Sequence, residues 1–313
     1  MGASIIGQDH LVESLLIGLV GSGHVLLTGA PGLGKTRAAR CLARNLDLDY
    51  RRIQFTPDLL PSDVIGTEIL QQRAGGDDDD GLHFVPGPVF GNLILADQLN
   101  RAPARAQSAL LEAMDERQVT VAGVARRLPD PFLVVATQVP GEQEGTYPLP
   151  EAQLDRFLLH VSVDHPDQES EIDIVRLART EDEAQDAAAP GAKPLGVEAV
   201  LQARSEVRQV FVSDTVECYV VDLVAATRHP ARYGEELAGL IESGAGPRGA
   251  IGLDRCARAH AWLAGRDHVT PDDVRAVVHD VLRHRITPSY HAITEGISAH
   301  DAIDRLVQQV AVV

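Results

Sequence analysis

The chain has 313 residues, 44% of them hydrophobic and 23% charged, which is long enough for two domains and apolar enough to bury a substantial core. Its 28 Lys plus Arg against 45 Asp plus Glu give a formal net charge of -17, which disfavours a nonspecific grip on nucleic acid, because that grip needs a basic surface that releases counterions. Cys41, Cys218 and Cys256 are too far apart for a metal motif or a disulfide framework, and the apolar run at 11–20 carries Glu13 and glycine without a leader-peptide pattern, so a cytoplasmic protein is expected.

In chain order, residues 24–28 form a short apolar run that feeds Gly29-Ala30-Pro31-Gly32-Leu33-Gly34-Lys35-Thr36, and residues 37–46 follow with helical alanine and leucine content. Strand, glycine-rich loop and helix come in the order a phosphate-binding loop requires. Further strands are expected at 52–55, at 93–96 ending on Asp97, at 132–136 ending on Thr137 and Gln138, and at 158–163, with a helix at 104–114. Short strands apolar on both faces, alternating with helices, predict an α/β core with a parallel sheet. Two excursions interrupt it, one with four consecutive aspartates within 75–81, the other a small hairpin at 119–128 around Gly123. Residues 182–196, rich in Ala, Asp, Pro and Gly, read as a connector. Beyond it, 201–207, 215–226, 249–263, 271–282 and 300–310 have helical apolar spacing, and Thr270-Pro271-Asp272-Asp273 is a helix start with a capping Thr and acids at the positive dipole end. The expected division is 1–165 for the core, 166–196 for a linker and 197–313 for a helical domain.

The loop carries the clearest chemistry. Backbone amides from Ala30 to Lys35 are placed to surround a β-phosphate, Lys35 to reach the β- and γ-phosphates of ATP, and the Thr36 hydroxyl to coordinate Mg2+, while Asp97 is placed to accept a magnesium-bound water. Gly29, Pro31, Gly32, Leu33 and Gly34 complete the nucleotide-binding set. Gln98 follows Asp97 where a water-activating carboxylate belongs; an amide can orient water but has no basicity with which to take its proton. His24, His260, His268, His279, His284, His291 and His300 are dispersed and form no compact zinc motif, so structural roles are expected for them, as packing is for Tyr147.

The wider pattern resembles the MoxR family of AAA+ ATPases. It is carried by Gly7-Gln8, the phosphate loop, Arg52-Ile53-Gln54-Phe55-Thr56-Pro57-Asp58-Leu59-Leu60-Pro61-Ser62-Asp63, Gly87-Pro88, and Asn100-Arg101-Ala102-Pro103 with Gln107-Ser108-Ala109-Leu110-Leu111-Glu112-Ala113-Met114. It continues through the run from Gln143-Glu144-Gly145-Thr146-Tyr147 to Leu154-Asp155-Arg156-Phe157, then Pro247-Arg248-Gly249, and Gly265-Arg266-Asp267 as far as Arg283-His284-Arg285. The resemblance implies a P-loop AAA+ module with an all-helical lid, assembled as a homo-oligomeric and commonly hexameric ring that uses ATP, ADP and Mg2+. Segments near 69–90 and 119–128 correspond to inserts that face the ring pore. Family members mature partner proteins in a chaperone-like way, often partners with von Willebrand factor A domains, some in membrane-linked assemblies that recruit the ATPase to the membrane. Arg156 resembles the arginine finger that reaches a neighbouring subunit's nucleotide, and Arg248 the sensor-2 arginine that contacts the γ-phosphate. Three positions depart from the family: Gln98 and Leu99 replace Glu and Ile, and Val139 replaces the sensor-1 Asn. Two readings follow: a remodelling ATPase with weakened hydrolysis, or an ATP-gated scaffold that binds nucleotide and partner without useful turnover. DNA remodelling ranks below both, given the acidity and the lack of a DNA-binding motif.

Overall fold

A computed structural model describes residues 5–71, 81–139, 145–183, 194–235 and 237–312. The aspartate run at 77–80, residues 184–193 of the connector, and Gln143 and Glu144 lie outside the described residues. The elements in order are α1 (Asp9–Val20), β1 (Val25–Thr28), α2 (Lys35–Asn45), β2 (Tyr50–Gln54), α3 (Pro61–Ile65), β3 (Gly66–Gln71), β4 (Gly81–Pro86), β5 (Leu93–Asp97), α4 (Ala104–Glu116), β6 (Gln118–Val121), β7 (Val124–Arg127), β8 (Leu133–Gln138), α5 (Glu151–Leu154), β9 (Leu159–Ser162) and α6 (Gln168–Glu183). There follow α7 (Val197–Val207), α8 (Asp214–Arg228), β10 (Ile241–Ser243), α9 (Pro247–Leu263), α10 (Pro271–Leu282), β11 (Thr287–Pro288), α11 (Tyr290–Thr294) and α12 (Ala299–Gln309).

The main sheet has the order β2-β5-β8-β1-β9. β2 pairs in parallel with β5, and β5 with β8, in a register that sets Gln54 beside Asp97 and Ala96 beside Ala136. Every residue of β5 is buried, as it must be in a strand with neighbours on both edges and helices on both faces. Its first polar residue is Asp97, at its carboxyl end, where open α/β sheets place ligands.

The chain forms two compact units: Met1–Leu15, Leu26–Leu149 and Val163–Val197 make the first, and Leu16–Val25, Pro150–Ser162 and Glu198–Val313 the second. The expected linker therefore begins as a helix, α6, that groups with the first unit. Composition concealed it, because alternating acids and apolar residues on an exposed helix look like a polar connector.

Within the first unit two antiparallel hairpins stand apart from the main sheet, β3 with β4 and β6 with β7. The second turns at Ala122 and Gly123, both at positive φ, 49° and 80°, the geometry a two-residue hairpin requires and one that strains the alanine. Arg126 fastens the hairpins together: its guanidinium lies 3.9 Å from the centroid of the Phe84 ring and 3.4 Å from Glu68.

From Glu198 onward the described residues of the second unit are mainly helical, with a short antiparallel pairing of β10 with β11. Arg204, 3% exposed, donates to the Leu19 carbonyl at 2.9 Å and so ties α7 to the last turn of α1. Asp273 at the start of α10 does more than face a helix dipole. Its fully buried carboxylate accepts from the Thr270 amide and hydroxyl, both at 2.7 Å, from Arg266, and from His260 Nδ1 at 2.6 Å. Burial opposes its ionisation, yet the Arg266 guanidinium and these hydrogen bonds hold its carboxyl well below the usual range.

Candidate nucleotide-binding site

The loop between β1 and α2 closes around Lys35, whose ammonium donates to the carbonyls of Gly29 at 2.9 Å and Ala30 at 2.7 Å. Gly34 precedes α2 in the left-handed region, φ 79°, and turns the first amides of the helix toward a ligand. Gly29 is required for a different reason: a Cβ there would lie 2.3 Å from the Val163 carbonyl oxygen. Burial lowers the Lys35 pKa and the nearby Asp97 carboxylate raises it in part.

Across a cavity of about 650 Å3 from this loop stand the ends of β5 and β8, contributing Asp97, Gln98, Thr137, Gln138 and Val139. Both oxygens of Asp97 are engaged. Oδ1 accepts from the Thr137 hydroxyl at 2.7 Å, and Oδ2 accepts from Arg52 Nη2 at 2.6 Å and Nε at 3.2 Å. Thr36 lines the same cavity, so the hydroxyl and carboxylate expected to share Mg2+ converge on one space. Gln98 adopts a left-handed backbone, φ 58°, pinned where its amide donates to Thr137 Oγ1 at 2.8 Å. Its side-chain Oε1 accepts from Gln54 Nε2 at 3.2 Å. Val139 offers no polar side-chain atom; its backbone amide and carbonyl are both held by Asn100, each at 3.1 Å.

The arrangement is that of a P-loop nucleotide site with its acidic strand end, and the comparisons with known proteins agree with it. The family profile described as ATPase family associated with various cellular activities (AAA) matches residues 24–159, and that of the AAA lid domain matches 237–306. Chaperone MoxR1 of Mycobacterium tuberculosis is 44% identical over 98% of this chain and 79% of its own length. Protein MoxR of Methylorubrum extorquens is 33% identical over 90% of this chain and 84% of its own. The chain belongs to the MoxR family of AAA+ ATPases. A solved structure from Cytophaga hutchinsonii, provisionally designated an ATPase, superposes on this MoxR-family protein with a TM-score of 0.90 at 45% identity, covering 100% of this chain and 92% of the other.

Arg156 and Arg248 of the MoxR-family chain lie in the second unit, Arg156 just after α5 and Arg248 in the first turn of α9. Asp155 stands between two arginines, 2.8 Å from Arg285 Nε and 3.8 Å from Arg248 Nη1. Arg285 reaches further along the same segment: its guanidinium donates to the carbonyls of Asp155 at 3.3 Å, Phe157 at 2.6 Å and Leu158 at 3.2 Å. His284 Nε2 adds a contact to the Phe157 carbonyl at 3.0 Å. Arg156 is thus carried on a backbone held from both sides. Tyr147, expected to pack, is 46% exposed, and its backbone amide donates to the Asn100 carbonyl at 2.6 Å.

Sequence reasoning missed several participants. Arg40 and Arg101 line the phosphate-side cavity and add positive charge. A second cavity, about 460 Å3, opens on the other side of the loop and is lined by Ile5, Ile6, Gln8, Pro166, Ile174 and Ala178 together with Gly32 to Gly34. Ile174 and Ala178 come from α6, so the segment expected to be a linker walls this apolar space. No motif signals it, because a helix face that closes a cavity need only be apolar and of the right size.

Proposed function

We propose that this MoxR-family protein binds Mg-ATP and uses it to remodel or mature partner proteins, with hydrolysis lowered by Gln98 and Val139. The reading is carried by one juxtaposition: Lys35, Thr36 and Asp97 converge on one cavity whose remaining water-facing position is filled by an amide bonded to Gln54. The loop amides and Lys35 would hold the triphosphate, and Thr36 and Asp97 would hold Mg2+, which would supply charge neutralisation on the phosphates. The adenine occupies the apolar cavity beside α6, where flat aromatic surface is removed from water. Gln98 orients the attacking water without accepting its proton, so positioning and charge stabilisation carry the reaction. By family likeness the working form is a homo-oligomeric ring, hexameric, in which Arg156 completes a neighbour's site and Arg248 contacts the γ-phosphate. A client with a von Willebrand factor A domain and a cytoplasmic location with recruitment to the membrane by the partner belong to the same proposal. Among the described residues no helix is long and apolar enough to cross a membrane.

The second reading, an ATP-gated scaffold, is favoured by the same amide at position 98, which cannot take a proton from water and whose Oε1 already accepts from Gln54. Steady-state hydrolysis over a protein concentration series that promotes assembly, beside Lys35→Ala, separates the two. Magnesium-dependent turnover above the Lys35→Ala background supports the ATPase, and tight ATP binding with no turnover supports the scaffold. Gln98→Glu restores a proton acceptor and is expected to raise turnover roughly 100-fold to 10,000-fold. An unchanged rate in that variant refutes the assignment of position 98.

A further inference from the structure

Far along the chain from the nucleotide loop, three side chains of the second unit meet. His279 projects from α10, and His300 and Asp304, four residues apart, from one face of α12. His279 Nε2 lies 3.0 Å from Asp304 Oδ1, and His300 Nε2 lies 3.6 Å from Asp304 Oδ2. One donor atom from each residue falls within 4.8 Å of the others. The two imidazoles stack with centroids 4.0 Å apart and planes inclined by 27°, so both rings turn a nitrogen toward the same carboxylate.

We propose that His279, His300 and Asp304 form a binding site for a divalent transition cation of the Zn2+ class, which clamps α10 to α12. A tetrahedral ion with bonds of about 2.0–2.1 Å sets its donor atoms roughly 3.3–3.4 Å apart. The two imidazole nitrogens lie 3.0 Å from Oδ1 and 3.6 Å from Oδ2 of the same carboxylate, and one donor atom from each residue lies within 4.8 Å of the others, so drawing all three onto one ion takes a change of side-chain rotamer and no movement of the helices. Two imidazole nitrogens and one carboxylate oxygen suit Zn2+, Co2+ or Ni2+ and are poor ligands for Mg2+ or Ca2+, which take oxygen. The side chains of His300 and Asp304 are 58% and 49% exposed, leaving an approach for the ion and room for water as fourth ligand, while His279 at 23% forms the inner wall.

The alternative is a plain hydrogen bond that packs two helices. That accounts for the His279–Asp304 contact and for the i,i+4 pairing of His300 with Asp304; the metal reading adds a reason for donor atoms of all three residues to converge on one point. Nδ1 of His279 is buried with no hydrogen-bond partner, so the ring is oriented by what its Nε2 faces. Arg283 is the cation nearby, and Asp280 pairs with it at 3.3 Å.

The test is calorimetric titration of the metal-stripped full chain with Zn2+ in excess Mg2+, with Co2+ as a spectroscopic probe. One equivalent of Zn2+ binds, Co2+ gives the visible absorption of a tetrahedral site, and the thermal midpoint rises. His300→Ala, at an exposed position, and Asp304→Asn, at a half-buried one, each retain the parent's far-UV dichroism and weaken Zn2+ by about 10-fold or more, and the double variant abolishes the cobalt spectrum. Lys35→Ala leaves Zn2+ binding unchanged, which separates this ion from the Mg2+ of the nucleotide. No binding by the parent chain, or equal affinity in the double variant as adventitious cysteine or histidine binding would give, overturns the proposal.

Discussion

Arg285→Met keeps the length and bulk of a side chain that is 4% exposed while removing its charge and every donor. The guanidinium holds the Asp155 carboxylate and the carbonyls of Asp155, Phe157, Leu158 and Val281. Breaking a buried ion pair by removing one partner costs about 3–5 kcal/mol, and each buried acceptor left without a donor costs about 1–3 kcal/mol. These costs do not add here: Asp155 is 34% exposed and keeps water and Arg248, and the Phe157 carbonyl keeps His284. The expected loss is therefore about 3 kcal/mol, at the low end of the pair-breaking range. Trp262 on α9 is the single tryptophan of the chain and bonds to Glu206 at 3.0 Å, so its fluorescence follows the second unit alone and avoids the ambiguity of a two-unit transition. With a urea slope of about 1–3 kcal/mol/M, the midpoint falls by roughly 1–3 M. Arg285→Lys recovers part of this, since an ammonium pairs with Asp155 but cannot fan out to several carbonyls. A midpoint within about 0.3 M of the parent refutes the argument, because it means that less than about 1 kcal/mol rides on the whole set of contacts.

Other outcomes follow from the same structure. Asp273→Asn removes the charge that Arg266 and His260 surround and is expected to lower stability by about 3 kcal/mol, read as a lower thermal midpoint; a loss below about 1 kcal/mol sinks the reading. Burial lowers the pKa of His160 to about 4 and that of His284 well below the ordinary value, their rings meeting at 5.6 Å. Between an unfolded pKa near 6.5 and these folded values the unfolded chain binds more protons, so stability falls as pH drops from about 6.5 toward 4, by up to about 1.4 kcal/mol per pH unit for each histidine. Urea midpoints by Trp262 fluorescence at pH 7 and pH 5 measure it, and a flat profile contradicts the burial argument. Asn100→Ala frees both backbone groups of Val139, so the parent's nucleotide affinity should drop while far-UV dichroism is retained; unaltered affinity means the Asn100–Val139 tie does not shape the cavity.

Much of the first unit was legible because its signals are contiguous. The phosphate loop is a single run of eight residues, and the three central strands of the sheet are short apolar runs; these and the two edge strands were all found within a few residues of the expected bounds. Gln98 and Val139 were legible as departures, but not their surroundings: Gln54 bonds the amide across a strand register, and Asn100 holds Val139 across 39 residues. The β3–β4 hairpin and α6 were not foreseen, the first because one of its strands borders the aspartate run, the second because its apolar residues are sparse on an exposed helix.

By itself the sequence determined the family, the order of strand, loop and helix, and the residues of the phosphate-loop motif, because hydrogen-bonding groups arranged along one loop need no distant partner to be recognised. Tertiary structure alone decided which distant groups meet. Arg285 clamps a segment that begins 130 residues earlier, Arg126 joins two hairpins through Phe84, and His279 faces His300 and Asp304 from another helix. Which side chains of two packed helices face each other depends on crossing angle and rotation, quantities set by the volume of every residue in the interface and written in no local pattern.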